Sequence, residues 1–440
     1  MYNASMDELY KLIRKKKLTS EGKIFEFCEG NKIADVMETA MEAFAITNTK
    51  KESPLLGSLF NFSASVALSG GNYPCQSIDC RIKQIKNLAR FASIYANCTT
   101  IYNPFDFVYY QLNSTGHQEL SPEKFRQETL NAFLIVLEFQ PLIERDLINF
   151  SKTMYVACVN CKKKIENAEN VAYANLKNIT KDSLFPLMKN EIQIEYEKGS
   201  FHLAGIEALI GEDMYMHYKK FPNFLIKNGK RITSMKEMGF NNPLMQKIAG
   251  EAINSVMLQK ISDPRNLSWT YLTNNMLEKT LLEKMNRHSE GKAVNFFANG
   301  LPLIQNRSYE SLLKTRESFP DEFNAFQNRV SELIAKANTF ETQEEFNLYV
   351  ENQLKKELDD LKKVQKEDNK KILSGSFAGG AFLGVSILVS LANNSNILPF
   401  VAVAKAFYDC LNQTSEAIKM AKKMQESPIY FYYQIERLKE

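Results

Sequence analysis

A strand, a glycine pair, a helix and a second strand follow one another between Leu59 and Tyr110. No other feature of the chain constrains its fold as much. In "LFNFSASVALSGG", Phe60, Phe62, Ala64, Val66 and Leu68 alternate with Asn61, Ser63 and Ser65. A period of two predicts a strand, ended by Gly70 and Gly71. "CRIKQIKNLARFASIYA" returns to helical spacing through Ile82, Ile85, Leu88, Phe91, Ala92 and Tyr95. "CTTIYNPFDFVYY" then predicts another strand, stopped by Pro104. Such a βαβ unit implies parallel pairing and a right-handed crossover.

The flanking segments extend this pattern. "SMDELYKLIRKKK" and "NKIADVMETAMEAFAI" have helical spacing, the first with Ser5 as N-cap. "SPEKFRQETLNAFLIVLEF" opens a helix with Ser121 as cap and Pro122 in the first turn. "PLIERDLINF" and "MYVACVNC" each supply one short strand. "EIQIEYEKGSFHLAGIEALI" reads as a hairpin turning at Gly199–Ser200. After Asn241 the strands thin out and helices follow: "NNPLMQKIAGEAINSVMLQKI", "YLTNNMLEKTLLEKM" and "SLLKTRESFPDEFNAFQNRVSELIAKA". A further amphipathic helix over 342–370 begins with Thr342 and Glu345 at capping-box spacing. The expected fold class is an α/β N-terminal half with a small parallel or mixed sheet, followed by an all-α C-terminal half. The expected domains are a sensing or ligand-binding domain over 1–235 and a helical domain over 236–440, with a soft boundary near 230–245.

The net charge of +4 over 440 residues gives no global argument for binding a polyanion. The local clusters Arg14–Lys17, Lys162–Lys164 and Lys227–Arg231 read as solvated surface. "MYNASMDELYKLIRKKK" lacks an apolar h-region, so no secretory signal is expected. With seven cysteines, the chain fits a reducing cytoplasm where thiols stay free or bind metal.

Two groups of residues could carry chemistry. The first is the turn "LSGGNYPC" after the first strand. Glycine-rich βα turns offer backbone N–H groups to anions, and ligands of open α/β sheets lie beyond the carboxyl ends of the strands. Ser69, Gly70, Gly71, Asn72, Asn103 and Asp106 are therefore expected to meet at one edge. "LSGG" resembles the start of the phosphate-binding loop of PP-loop ATP pyrophosphatases. That family has an Asp-Ser pair where this chain has Tyr73 and Pro74. The alternative is a tight turn that needs glycine for its backbone angles. The second group is the C-x4-C pair Cys75 and Cys80 with the C-x2-C pair Cys158 and Cys161. Four thiolates can close a structural zinc site if Cys75 precedes the helix; otherwise these are small buried hydrophobes or surface thiols. His117, His202, His217 and His288 form no triad with Ser, Cys or an acid, and Asp359–Asp360 lie in a solvated helix.

From Ile372 to Ala404 no residue is charged. Gly375/Gly379 and Gly380/Gly384 have G-x-x-x-G spacing, which allows close helix packing. The run is long enough to span a bilayer once. Ser374, Ser376, Ser386 and Ser390 dilute it, and Asn393–Asn396 break it before a second pass is possible. A buried helical hairpin over 372–407 is the favoured reading, with membrane insertion as the alternative.

"QPLIERDLINF…CVNC", "SLLKTRESFPDEFNAFQNRV" and "SPIYFYYQIERL" resemble stretches of uncharacterised bacterial proteins associated with phage defence and mobile elements. The resemblance implies antiviral defence as the context and brings no catalytic motif. The expected function is binding, self-association and effector assembly, as a homo-oligomer or with another defence-system protein. The alternatives are an enzyme acting on a nucleotide or phosphorylated ligand at the glycine-rich loop, and a membrane-disrupting effector using 372–404.

Overall fold

The computed structural model describes residues 4–48, 60–71, 77–113, 120–151, 174–211, 214–262, 270–286, 294–296 and 308–336, with a few positions up to 353. They fall into two compact units, Met1–Leu301 and Pro302–Glu440.

The first unit is an α/β fold around a five-stranded parallel sheet. Its strands are β1 (Asn61–Ala64), β2 (Cys98–Ile101), β3 (Ile148–Phe150), β9 (Thr270–Thr273) and β10 (Val294–Phe296). The strand order is β10-β9-β1-β2-β3, and every pair is parallel. All residues of β1, β2 and β3 are buried, so both faces of this part of the sheet are covered. That explains why β1 differs from the half-buried strand its alternation suggests. Asn61 and Ser63 are as buried as Phe62, and the strand ends at Ala64.

Among the described residues six helices precede β3: α1 (Ala4–Lys15), α2 (Glu21–Gly30), α3 (Ile33–Thr47), α4 (Ile78–Tyr95), α5 (Asp106–Asn113) and α6 (Pro122–Ile143). Helix α4 is the crossover from β1 to β2. It packs Phe91 edge-on against Phe62, with ring centroids 5.2 Å apart. Phe105 meets Phe133 of α6 in the same way at 5.1 Å. Edge-to-face pairs of this kind add about 0.5–1.5 kcal/mol beyond area burial. Ser121 caps α6 as expected, its Oγ accepting from Lys124 N at 3.2 Å.

Between β3 and β9 the chain builds a small second sheet. A π-helical turn (Thr180–Leu184) runs into α7 (Phe185–Glu191). Strands β4 (Gln193–Glu197), β5 (Ser200–Ala204) and β6 (Tyr215–His217) are antiparallel. The expected hairpin is the β4–β5 pair, turning through Gly199 at φ 78°. Helix α8 (Glu207–Ile210) lies between β5 and β6. A hairpin of β7 (Ile226–Lys227) and β8 (Lys230–Arg231) follows. Its turn residues Asn228 and Gly229 have φ of 51° and 74°. Asn-Gly suits such a turn because both central positions are left-handed.

Helix α9 (Pro243–Ser262) leads to β9, and α10 (Met276–Asn286) carries the chain from β9 to β10. The later chain is mostly helical, yet it supplies two strands to the sheet. The first unit therefore runs past the expected 235/236 boundary to Leu301. The segment read as one helix, "YLTNNMLEKTLLEKM", is a strand, a cap and a helix.

The second unit, taken by itself, contains α11 (Tyr309–Ser318) and α12 (Pro320–Ala335). Tyr309, Leu312, Leu313, Phe323, Phe326, Val330 and Leu333 are buried. The Arg316 guanidinium lies 4.0 Å from the centre of the Phe323 ring. Burial pulls its pKa down to about 10. The run 372–407, with Gly375, Gly379, Gly380 and Gly384, lies outside the described residues, as does most of 342–370. Among the described residues no helix is long and apolar enough to cross a membrane.

Candidate functional site

Strand β1 pairs with β2 on one side and β9 on the other, all parallel. The chain leaves β1 toward β2 and returns much later on the opposite side. In doubly wound sheets ligands bind outside the carboxyl ends of the strands at such a reversal, here those of β1 and β9. Three segments meet at that edge: the turn after β1, the segment after β2 and the start of α10 after β9.

The turn after β1 is tightly closed. Ser65 N donates to Leu272 O at 2.8 Å and prolongs the pairing with β9. The amides of Leu68, Ser69, Gly70 and Gly71 donate to Ser65 Oγ, Ser65 O, Ala67 O and Val66 O. None of these four is left for an anion, so the expected phosphate cradle is not formed by this part of the turn. The glycines are there for space. A Cβ on Gly70, which sits at φ 76°, would lie 2.8 Å from Ile85 Cγ1. One on Gly71 would lie 2.7 Å from Val66 O. Arg81 reinforces the turn, its Nε donating to Gly70 O at 2.6 Å and its Nη1 lying 3.6 Å from Glu128 Oε2. Burial lowers the pKa of Arg81, and Glu128 opposes that shift.

Ser69 and Asn103 act as buried latches. Ser69 Oγ accepts from Tyr102 N at 3.1 Å and donates to Ser65 O at 2.8 Å, joining the turn to the end of β2. Asn103 Oδ1 accepts from Phe105 N at 3.0 Å, and its Nδ2 donates to Thr47 Oγ1 at 3.0 Å. Asp106 opens α5 and is fully buried. Asn72 lies outside the described residues.

The β9 side holds a polar cluster that the sequence reading missed. Tyr271 and Thr273 lie two residues apart on β9 and point to one face. Glu278, in the first turn of α10, is fully buried. Its Oε1 accepts from Ser255 Oγ of α9 at 2.6 Å. Its Oε2 accepts from Thr273 Oγ1 at 2.7 Å and Tyr271 OH at 3.3 Å. Burial pushes the carboxyl pKa above its ordinary value, and the three hydroxyl donors oppose the shift. Burial and the neighbouring Glu278 push Tyr271 well above the usual phenol range. Asn275 caps α10, its Oδ1 accepting from Leu277 N at 2.9 Å and Glu278 N at 3.1 Å. Asn274 packs on Gly211, where a Cβ would lie 2.7 Å from Asn274 Nδ2.

Among the described residues, two amide atoms here have no hydrogen-bond partner: Asn274 Oδ1 and Asn275 Nδ2. The residues are 7% and 0% exposed. A buried polar atom left unsatisfied costs about 1–3 kcal/mol. One acceptor and one donor on adjacent residues at this edge are suited to a group with a donor–acceptor edge. The signal in the sequence was "TYLTNN": four strand-forming residues followed by an Asn cap.

The zinc expectation falls mostly outside the described residues, which contain Cys80 at the start of α4 but not Cys75, Cys158 or Cys161. Among the described residues no group of three or more His, Cys, Asp or Glu is arranged to hold a metal. Comparison with protein-family models, characterised proteins and solved structures finds nothing that matches this chain.

Proposed function

We propose that the first unit is a ligand-binding module that recognises a small neutral polar molecule at the carboxyl edge of β1 and β9. The observation that carries this reading is the pair of unpartnered amide atoms, Asn274 Oδ1 and Asn275 Nδ2, beside the strand-order reversal. A nucleobase or a primary amide offers the matching donor and acceptor. The engaged amides of Leu68–Gly71 favour this over a phosphate-centred enzyme. Binding then governs assembly, with a second copy or another defence-system protein. That part of the proposal rests on the glycine-spaced run at 375–384 and the resemblance to phage-defence proteins.

The test is thermal stabilisation of the full chain by nucleobases, nucleosides, nucleotides and primary amides. A ligand at 100 times its Kd adds about 2.7 kcal/mol to stability. Asn275→Ser keeps a capping oxygen and removes the amide donor; Asn274→Ala removes the acceptor. Both variants should lose the ligand-induced shift. A panel that stabilises nothing, or stabilises both variants like the parent, overturns the proposal.

A further inference from the structure

The β4–β6 sheet and the β7–β8 hairpin carry a second surface. Between Met214 and Arg231 the chain has five basic residues and no acidic one. Lys219, Lys220, Lys227, Lys230 and Arg231 are all exposed. Lys227 and Lys230 face each other across the hairpin. Lys198 joins them at the β4–β5 turn, since Tyr218 N donates to Gly199 O at 2.9 Å.

Aromatic rings lie among these cations. Tyr218 meets Phe221 edge-on at 5.2 Å, and Tyr196 lies 5.5 Å from Phe221. The Arg231 guanidinium rests over both rings, 4.8 Å from the centre of Phe221 and 5.3 Å from that of Tyr196. Among the described residues three acids lie nearby, and Glu197, exposed beside Lys198, is one of them. Glu237 Oε1 accepts from Thr233 N at 3.0 Å and Ser234 N at 3.2 Å. Glu195 pairs with His202 at 3.5 Å in the row shared with Tyr215.

We infer that this surface binds single-stranded nucleic acid. Cations along a path neutralise a phosphate backbone, and flat rings or guanidinium planes stack on unpaired bases. Arg231 is already held close to two rings, so little side-chain freedom is lost when its guanidinium meets a base. The lysines on either side supply backbone contacts.

The test uses the full chain and fluorescein-labelled oligo-dT and oligo-U of about 15 nucleotides, read by anisotropy at about 50 mM salt. A duplex of the same length and vesicles of anionic lipid are the competing arms. Single strands should bind, and duplex and vesicles should bind at least ~10-fold more weakly. Lys219→Ala/Lys220→Ala should lower affinity ~10-fold or more. It should also flatten the log–log salt slope by about 1.4, at ~0.7 per phosphate contact on single strands. Arg231→Lys keeps the charge and removes the plane. It should weaken binding about five-fold or more with the salt slope unchanged. Lys227→Ala/Lys230→Ala, on an exposed hairpin, repeats the charge test where folding is not at stake. Absence of binding at low salt, equal binding of duplex or vesicles, or a parent-like Arg231→Lys overturns the inference.

Discussion

Ser255 Oγ donates to Glu278 Oε1 at 2.6 Å, tying α9 to the first turn of α10 in a site closed to solvent. No cation balances this carboxylate among its hydrogen-bond partners, which are three hydroxyls. Its folded pKa is raised. Below about pH 4.3, the usual value for an unfolded Glu, both states hold the proton. As pH rises toward the folded pKa, the unfolded chain loses its proton first, so stability falls. Glu278→Gln removes this loss. Denaturant unfolding between about pH 4 and 7 should show the variant gaining on the parent as pH rises. A pH-independent difference between the two would refute the assignment.

Ser255→Ala leaves the carboxylate with one donor fewer. Removing a donor to a buried charge-bearing acceptor costs about 1–3 kcal/mol. Urea unfolding should show this loss as a lower midpoint with an unchanged slope.

Gly70→Ala and Gly71→Ala are expected to destabilise for different reasons. At Gly70 a left-handed backbone adds about 1–2 kcal/mol of strain to the clash with Ile85. At Gly71 the obstacle is the Val66 carbonyl, which side-chain rearrangement cannot move. Overpacking of this kind costs about 1–3 kcal/mol. If these glycines serve the fold alone, ligand affinity per folded molecule stays unchanged. Calorimetric titration of the surviving folded fraction measures that.

Cys28 is buried in α2, and burial raises its thiol pKa to about 12. At pH 8 it is almost wholly protonated and should resist alkylation until the chain unfolds. Cys80, part-exposed at the start of α4, should label before Cys28. Mass spectrometry of peptides after brief iodoacetamide treatment reads both rates.

Zinc remains testable on the whole chain. If Cys75, Cys80, Cys158 and Cys161 share a metal, purified protein carries about one Zn per chain and Cys158→Ser releases it. Background metal content in the parent ends that reading.

The βαβ unit was legible because each of its signals is local. The glycine pair ends the turn, Ser121 caps α6, and the 3.6-residue period of α4 lies within one segment. What escaped was set by burial on both faces and by distant pairing. Strand β9 is only Thr270–Thr273, and it becomes a strand because β1 and β10 flank it. Its four residues merged with the helix that follows when read by periodicity alone. Asn228–Gly229 is a strong hairpin signal, yet "KNGKR" was read for its charge. The expectation of a ligand site at Ser69, Gly70, Gly71, Asn72, Asn103 and Asp106 rested on the turn after β1. Its amides turned out to be used within the turn, which spacing cannot show. The Ser255–Glu278 contact joins two helices and had no sequence signature.

The strand order also has a consequence in time. Phe62 of β1 is paired with Thr270 of β9, 208 residues further along the chain. On a ribosome adding about 5–20 residues per second, β1 and β2 are complete on the order of 10–40 s before β9 emerges. Throughout that interval the inner edge of β1 presents open backbone groups and buried-type side chains to the cell, the condition under which strands pair with the wrong partner. Slowing translation between codons 150 and 270 should therefore lower the soluble yield of this protein. Supplying the 243–296 segment in trans, as a separate peptide, should raise it.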